Sequence, residues 1–502
     1  MLQISVDKTI NKIVVVTDDL SIKYFFEVTK KENKFIPWKK SWGTVTTNIK
    51  IYDKKFTKGG IVTYLIGLGW AGYLINVLSP YISSDDYNNL LADAIYSPDA
   101  PRNIPFPELR DYQNEDILHI LKYRIGLLNV YTSYGKTQSI AVLANYLHSI
   151  GKKVLLVAPG KKAMDELVKR VKSLYSLDVL PPGHKNSIGI DGIITTGIMN
   201  RSDVKDINKR SDFETLMSTY DVVLVDEVEY TINPGGEYLF STLRGASRFY
   251  AFSGTADKTG GEMISFVNGL SEVVCNNKDL IKWFGPSLVY RMPLTIKIDA
   301  IEVQTSCLDL IKFEQSDFSE DSNVYMNVMN RIWTNPEVCN LVVKITKRFP
   351  KLFIPINNLN SILNEWIDKY FLGKFRVLLV CGEGYVYYDL QGNKSKLTLQ
   401  ESCDKIRNNE VDIIPSTSSG YRALDFPNLE NILLIQGKVA GVVLQSVGRV
   451  ARGNHMNIIT LGSKSKKRIP IFSKGAEGRD EMIHEYYKYC DIVDSVIYEE
   501  QL

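Results

Sequence analysis

Residues 130–139 read VYTSYGKTQS, and the triplet Gly135-Lys136-Thr137 inside them is of the kind that grips a phosphate chain. A lysine there reaches the β and γ phosphates, and the next hydroxyl is a ligand for a magnesium ion. Thr132, Ser133, Tyr134 and Gly135 would wrap the same phosphates. The glycine expected five residues before Gly135 is Val130, so the loop is a variant. Chance alone supplies a Gly-Lys-Ser/Thr triplet at about one position in a thousand, and the surroundings must therefore decide. A second group complements the first: DVVLVDEVEY sets Asp226 and Glu227 after four consecutive apolar residues. An acid at the end of a buried strand is costly unless it serves a cation. Asp226 would hold magnesium through water, while Glu227 would orient and deprotonate an attacking water. In QSVGRVARG a third group appears, with Arg449 and Arg452 three apart. On one helical turn both guanidinium groups can face the same cleft, and Gln445 belongs to the same face.

These groups need particular elements to hold them. A phosphate loop requires a buried strand before it and a helix after it, so that backbone N–H groups and the positive helix end face the anion. GLLNV and QSIAVLANYL supply both. Further on, KVLLVAP, DGIITTG, DVVLVDE and RFYAFSG are short apolar runs, separated by helical stretches such as AMDELVKRVKSLY. That rhythm belongs to a parallel α/β sheet, whose functional groups gather at the carboxyl ends of its strands. A second set starts at KLFIPI and continues through RVLLV, VDIIPS, NILLIQG and NIITLG. The expected fold is α/β, with two tandem parallel-sheet domains.

Bulk properties exclude other classes. A chain of 502 residues has room for two to four domains, and its formal charge of +3 is too small for a uniformly basic nucleic-acid binder. The six cysteines show no CxxC pair and the five histidines are scattered, so zinc and a disulfide framework are not expected. The opening MLQISVDKTINK lacks a basic-then-apolar signal pattern, and a cytoplasmic protein is expected. Residues 61–78 carry no charge, but the run is short for a bilayer and is diluted by glycines. It reads as a buried strand or helix of a small N-terminal domain rather than as a membrane span, and no membrane partner is expected.

Taken together, the motifs between residue 109 and about residue 460 resemble those of superfamily 2 helicases and translocases, in the same order. LRDYQ, with Gln113, looks like an adenine-reading Q motif, YTSYGKT like motif I and VAPGKKAMDEL like motif Ia. ITTGIMNR looks like Ic, DEVE like II, FSGTA like III, STSSGYRALDFPNL like V and LQSVGRVARG like VI. The likeness is greatest to bacteriophage helicases of the UvsW type, which remodel branched DNA, and to the wider XPB-like group. Motif II departs from the DEAD and DEAH spellings, which argues against the RNA helicases so named. The resemblance implies two RecA-like domains and an ATP- and Mg²⁺-dependent activity on forked or branched DNA, including branch migration. A monomer is expected, in a host cytoplasm if the chain is phage-encoded. It also implies arginine-finger roles for Arg449 and Arg452, nucleotide contacts from Gly420 and Asp425, and coupling through Ser253 and Thr255. Nucleic acid would meet Pro159, Gly160, Lys161, Thr196, Asn357, Thr417 and Ser418, whose small polar groups suit phosphates. An RNA helicase and a non-hydrolysing DNA-binding scaffold remain the alternatives.

The expected division is a basic DNA-binding module over 1–100, a first RecA-like domain over 101–296, a connection over 297–335, a second domain over 336–475 and a helical tail over 476–502. No arginine occurs in the first 101 residues, and from Lys23 to Lys58 ten lysines face three acids, Glu27, Glu32 and Asp53. Lys39 and Lys40, in PWKKSWG, are the centre of that excess. KIVVV and IKYFFEV read as strands of a small β-rich module. In the second domain YVYYDLQGNKSKLTLQ reads as a β-hairpin around Gly392-Asn393, either a strand-splitting pin or a decoration.

Overall fold

The computed structural model describes residues 2–10, 12–19, 21–36, 41–50, 52–71, 74, 78, 80–85, 88, 97, 106–131, 134–182, 189–190, 192–195, 207–228, 239, 242–254, 288–291, 296–311, 331–356, 366–381, 384–417, 429–435, 447, 455–464, 483–484, 487 and 490–502. One compact unit holds Met1–Val130 and Tyr134–Arg291, and the other holds Tyr131–Ser133 and Met292–Leu502.

The first unit opens with an antiparallel sheet in the order β1-β2-β6-β5, built from β1 (Leu2–Asp7), β2 (Lys12–Thr17), β5 (Lys54–Lys58) and β6 (Ile61–Gly67). In β2 buried and half-buried residues alternate, as a sheet with one covered face requires. Between them β3 (Glu27–Ile36) and β4 (Ser41–Lys50) form a separate two-stranded ribbon, with Glu27 opposite Lys50 and Ile36 opposite Ser41. The expected strand IKYFFEV begins later than its apolar run suggests, because Ile22–Phe25 is a 3₁₀ turn. Asp19 makes that turn by accepting the Ser21 N–H at 2.8 Å and its hydroxyl at 2.6 Å. Residues 61–67 of the uncharged stretch are strand β6, paired on both sides, and 68–70 form a 3₁₀ turn. Among the described residues no helix is long and apolar enough to cross a membrane.

The α/β part of this unit carries α1 (Asp111–Leu121), β7 (Ile125–Val130), α2 (Lys136–Ser149), β8 (Val154–Ala158), α3 (Lys161–Tyr175), β9 (Asp178–Val179), β10 (Gly189–Ile190), β11 (Gly192–Thr195), α4 (Ile207–Met217), β12 (Val222–Asp226), β13 (Arg248–Ser253) and β14 (Leu288–Arg291). Six strands form one parallel sheet in the order β11-β8-β12-β13-β7-β14, and β9 pairs with β10 separately. β7, β8 and β12 are buried along their whole length, which is why they read as unbroken apolar runs.

The antiparallel sheet is docked on this α/β layer by backbone. Gly67 N–H donates to Arg244 O at 3.1 Å and Gly69 N–H to Ala246 O at 3.0 Å, while Trp70 Nε1 reaches Leu243 O at 3.3 Å. Ile13, Val15, Ile66 and Leu68 share one apolar cluster with Tyr220, Leu239, Leu243 and Ala246. A Cβ on Gly67 would lie 2.3 Å from Ala246 O and 2.7 Å from Arg244 O, and neither backbone oxygen can swing away. Gly67→Ala should therefore destabilise this unit by about 2–3 kcal/mol, a fall of about 5–10 °C in its melting temperature. An unchanged thermal transition would show that this approach is not held in solution.

The second unit contains β15 (Lys297–Thr305), α5 (Pro336–Arg348), β16 (Leu352–Ile356), β17 (Val377–Cys381), β18 (Gly384–Tyr388), β19 (Lys394–Leu397), α6 (Leu399–Arg407), β20 (Ile413–Thr417), β21 (Asn431–Leu434), β22 (His455–Ser463) and β23 (Asp491–Tyr498). They form a nine-stranded sheet in the order β19-β18-β17-β20-β16-β21-β22-β15-β23. It is parallel except where β18 and β19 fold back as a hairpin. That hairpin is the expected one. Its turn is closed by Asp389, which accepts the N–H groups of Gln391 and Asn393 at 2.9 and 2.8 Å, and Gly392 takes φ +82°. Asn335 and Thr398 cap α5 and α6.

Two expectations are corrected. Residues 297–305, expected as connection, are strand β15, paired along all nine residues with β22. Ile298, Ile301, Val303 and Thr305 are its buried positions, and a strand with charged residues between them lacks a continuous apolar run. Residues 491–498, expected within a helical tail, are strand β23, parallel to β15. Its β-branched content, with Ile492, Val493, Val496 and Ile497, favours an extended backbone. The fold is α/β, two parallel-sheet domains with a small β-rich N-terminal portion.

Candidate nucleotide-binding site

β7 ends at Val130 and α2 starts at Lys136, so the loop between them lies at the carboxyl end of a parallel strand. Gly135 is the residue before the helix, with φ +96°, a conformation open to glycine and strained for other residues. The first N–H groups of α2 have no partner within their own helix, and with the helix dipole they favour an anion there. Thr137, in the first turn, is half-buried. Thr132 and Ser133 lie outside the described residues.

β13 separates β7 from β12, and the three strands end level: Ser253 pairs with Asn129, and Asp226 with Phe252. Across this end Lys136 Nζ meets Glu227 Oε1 at 3.3 Å, with the two side chains 11% and 13% exposed. The phosphate-loop lysine and the acidic pair, 90 positions apart in the chain, are thereby one site. Asp226 is 8% exposed. Burial pushes its carboxyl well above the usual carboxylate range, the neighbouring Glu227 charge pushes it further, and Lys136 pulls part of the way back. Glu227 itself has φ +47°, a left-handed conformation uncommon for glutamate. The Asp226 carboxyl, at the end of β12, and the Thr137 hydroxyl, in the first turn of α2, are hard-oxygen donors of the kind that suits Mg²⁺.

α1 closes the other side of the loop. Gln113, 2% exposed, donates through Nε2 to Tyr134 O at 2.9 Å and to Gly135 O at 3.3 Å, and its Oε1 accepts the Arg110 N–H at 3.0 Å. Tyr134 is fully buried and its hydroxyl donates to Asp116 Oδ2 at 2.8 Å. Asp116 was not among the residues expected in the site. Its signal was present in α1, where Gln113 and Asp116, three apart, interrupt a buried stripe continued by Ile117 and Ile120.

Of the other expected residues, Ser253 is buried at the end of β13, and Thr255 lies outside the described residues. Pro159 and Gly160 are half-buried after β8, and Lys161 is exposed as the first residue of α3. In the second unit Thr417 is the last residue of β20 and only 6% exposed. Lys39, Lys40, Thr196, Asn357, Ser418, Gly420, Asp425, Gln445, Arg449 and Arg452 lie outside the described residues. The site is thus assembled from Gln113, Tyr134, Gly135, Lys136, Thr137, Asp226 and Glu227.

No protein-family model matches the chain, and no curated protein matches it. Solved structures do. A variant of S. cerevisiae Dbp5 bound to RNA and ADP BeF3 is 13% identical with a TM-score of 0.47, covering 77% of this chain and 89% of its own. T4 UvsW is 15% identical with a TM-score of 0.33, covering 99% of both chains.

Proposed function

We propose that the chain is an ATP-driven motor on DNA, a helicase or translocase of the superfamily 2 kind that unwinds or branch-migrates forked or branched substrates. The observation that carries the reading is the Lys136–Glu227 contact of 3.3 Å at the strand ends, beside the buried Asp226. A lysine, a raised carboxyl and a second acid at the mouth of a helix N-terminus are what phosphoanhydride hydrolysis needs.

In this reading Lys136 neutralises charge on the β and γ phosphates, and the α2 N–H groups cradle them. Thr137 and Asp226 would hold Mg²⁺, which when bound offsets the remaining phosphate charge. Glu227 orients the attacking water and accepts its proton as the new oxygen–phosphorus bond forms and the bond to the ADP oxygen breaks. Arg449 and Arg452 act as fingers on the transferring phosphate, so that hydrolysis waits on domain closure. Gly420, Asp425 and Gln445 contact nucleotide from the second domain, and Ser253 and Thr255 relay its state. Pro159, Gly160, Lys161, Thr196, Asn357, Thr417 and Ser418 track the strand by its phosphates. ATP turnover measured with DNA, with RNA and alone tests the reading. DNA-stimulated turnover with forked-duplex unwinding supports it, stimulation by RNA alone replaces it with an RNA motor, and tight DNA binding without turnover replaces it with a scaffold.

The N-terminal lysines give this motor a second hold on DNA. Lys39→Ala with Lys40→Ala should weaken binding to forked or duplex DNA and reduce the slope of log affinity against log salt by about two, one per lost phosphate contact. Basal ATP turnover should persist. Unchanged affinity and slope on both substrates would remove these lysines from the DNA path.

A further inference from the structure

The resemblance assigns Gln113 to reading adenine, but its surroundings point elsewhere. Both ends of the side-chain amide are occupied within the protein. The oxygen accepts the Arg110 N–H at 3.0 Å, and the nitrogen donates to the carbonyls of Tyr134 and Gly135 at 2.9 and 3.3 Å. The partners fix the orientation, since a flipped amide would set oxygen against two carbonyls and nitrogen against an N–H. With 2% exposure, and with Nε2 also 3.4 Å from Ser139 Oγ, the group would have to leave four contacts to meet a base. A purine edge could return only two, and the vacated carbonyls would stay buried.

The same face of α1 holds the loop by other means. Tyr134 sits immediately before the Gly-Lys-Thr triplet, and its buried hydroxyl is bonded to Asp116 at 2.8 Å. Its ring lies 5.2 Å from that of Tyr112, whose hydroxyl accepts from Arg110 Nη1 at 2.6 Å. Gly135 is pressed so close that a Cβ on it would be 2.6 Å from Gln113 Nε2.

We propose that Gln113 is a positioning residue that clamps the phosphate loop to α1 and leaves the nucleobase unread, so that the site accepts purine and pyrimidine triphosphates alike. The proposal rests on the nucleotide-hydrolysing reading above. The experiment measures KM and kcat for ATP, GTP, CTP and UTP at saturating DNA. It also measures binding of the four by displacement of a fluorescent ADP, for the wild type, Gln113→Ala and the volume-conserving Gln113→Met. Thermal melts confirm that each variant is folded.

The expected wild-type KM values agree within about threefold, since no base-specific hydrogen bond is at stake. Each variant should raise all four KM values and displacement constants by a common factor of about ten, the loss of loop-orienting bonds. A wild-type preference for ATP of about thirtyfold or more, or a base ratio that collapses in the variants, overturns the proposal. Absence of turnover and displacement with all four nucleotides removes the motor reading as well, and so identifies which of the two has failed.

Discussion

Lys136→Ala is expected to lower DNA-stimulated ATP turnover by about a thousandfold, the loss of a preorganised charge at the transferring phosphate. The side chain is 11% exposed, and its ammonium lies 3.3 Å from Glu227 Oε1. Removing it acts twice. The phosphates lose their lysine, and Asp226 loses a positive neighbour that pulls its carboxyl down against burial and the Glu227 charge. Both effects fall on the chemistry, because Lys136 is at the helix start rather than in the buried face formed by Ile140, Leu143 and Leu147. The melting transition should therefore stay within a few degrees of wild type while turnover collapses. Near-normal turnover by a folded variant would remove the phosphate-loop assignment.

Glu227→Gln should cut kcat by about a hundredfold to ten-thousandfold, the range for loss of a general base, with nucleotide affinity largely kept. The amide has the shape of the carboxylate but cannot take the proton from water. It also removes the charge that helps push Asp226 upward, so the Asp226 carboxyl should move back toward its ordinary range. Single-turnover hydrolysis beside nucleotide displacement separates the two quantities. Equal losses in binding and turnover would make Glu227 a partner for Lys136 only. The φ of +47° at this residue costs about 1–2 kcal/mol relative to an ordinary backbone. Strain of this kind, held at a strand end beside a charged cluster, fits a group aimed for function.

The parts of this fold that sequence alone made visible share one property: their signal is local. β7, β8 and β12 are buried throughout, so each is an unbroken run of apolar residues with its functional group just beyond it. The convergence of Lys136 on Glu227 follows from that, since parallel strands of one sheet present their carboxyl ends together. The β18–β19 hairpin was legible because its turn residues sit between its own two strands. β15 and β23 were not. β15 carries Asp299 and Glu302 within its length, and both are held by partners far away in the sequence. The partners of the Gln113 amide were hidden for the same reason, because Tyr134 and Gly135 lie 21 and 22 positions away and only the closed loop brings them together. Asp116 was overlooked since an acid in a helix ordinarily faces water, and nothing near it in sequence announces the Tyr134 hydroxyl.

The placing of β15 bears on how the second unit comes to be made. It lies between β22 and β23, and both leave the ribosome after it, β22 only once the stretch from Thr305 to His455 has been synthesised. Until then its two edges have no native strand to pair with, and the closing loop is long enough to make pairing slow. A nascent strand in that position invites pairing with another chain. The residues that hid β15 from a reading of apolar runs offer a remedy. Lys297, Asp299 and Glu302 set charges along the waiting strand, and charged residues are what sheet edges use to discourage a stranger. Neutralising them, for instance with Asp299→Val and Glu302→Val, should reveal itself as lower soluble yield during synthesis.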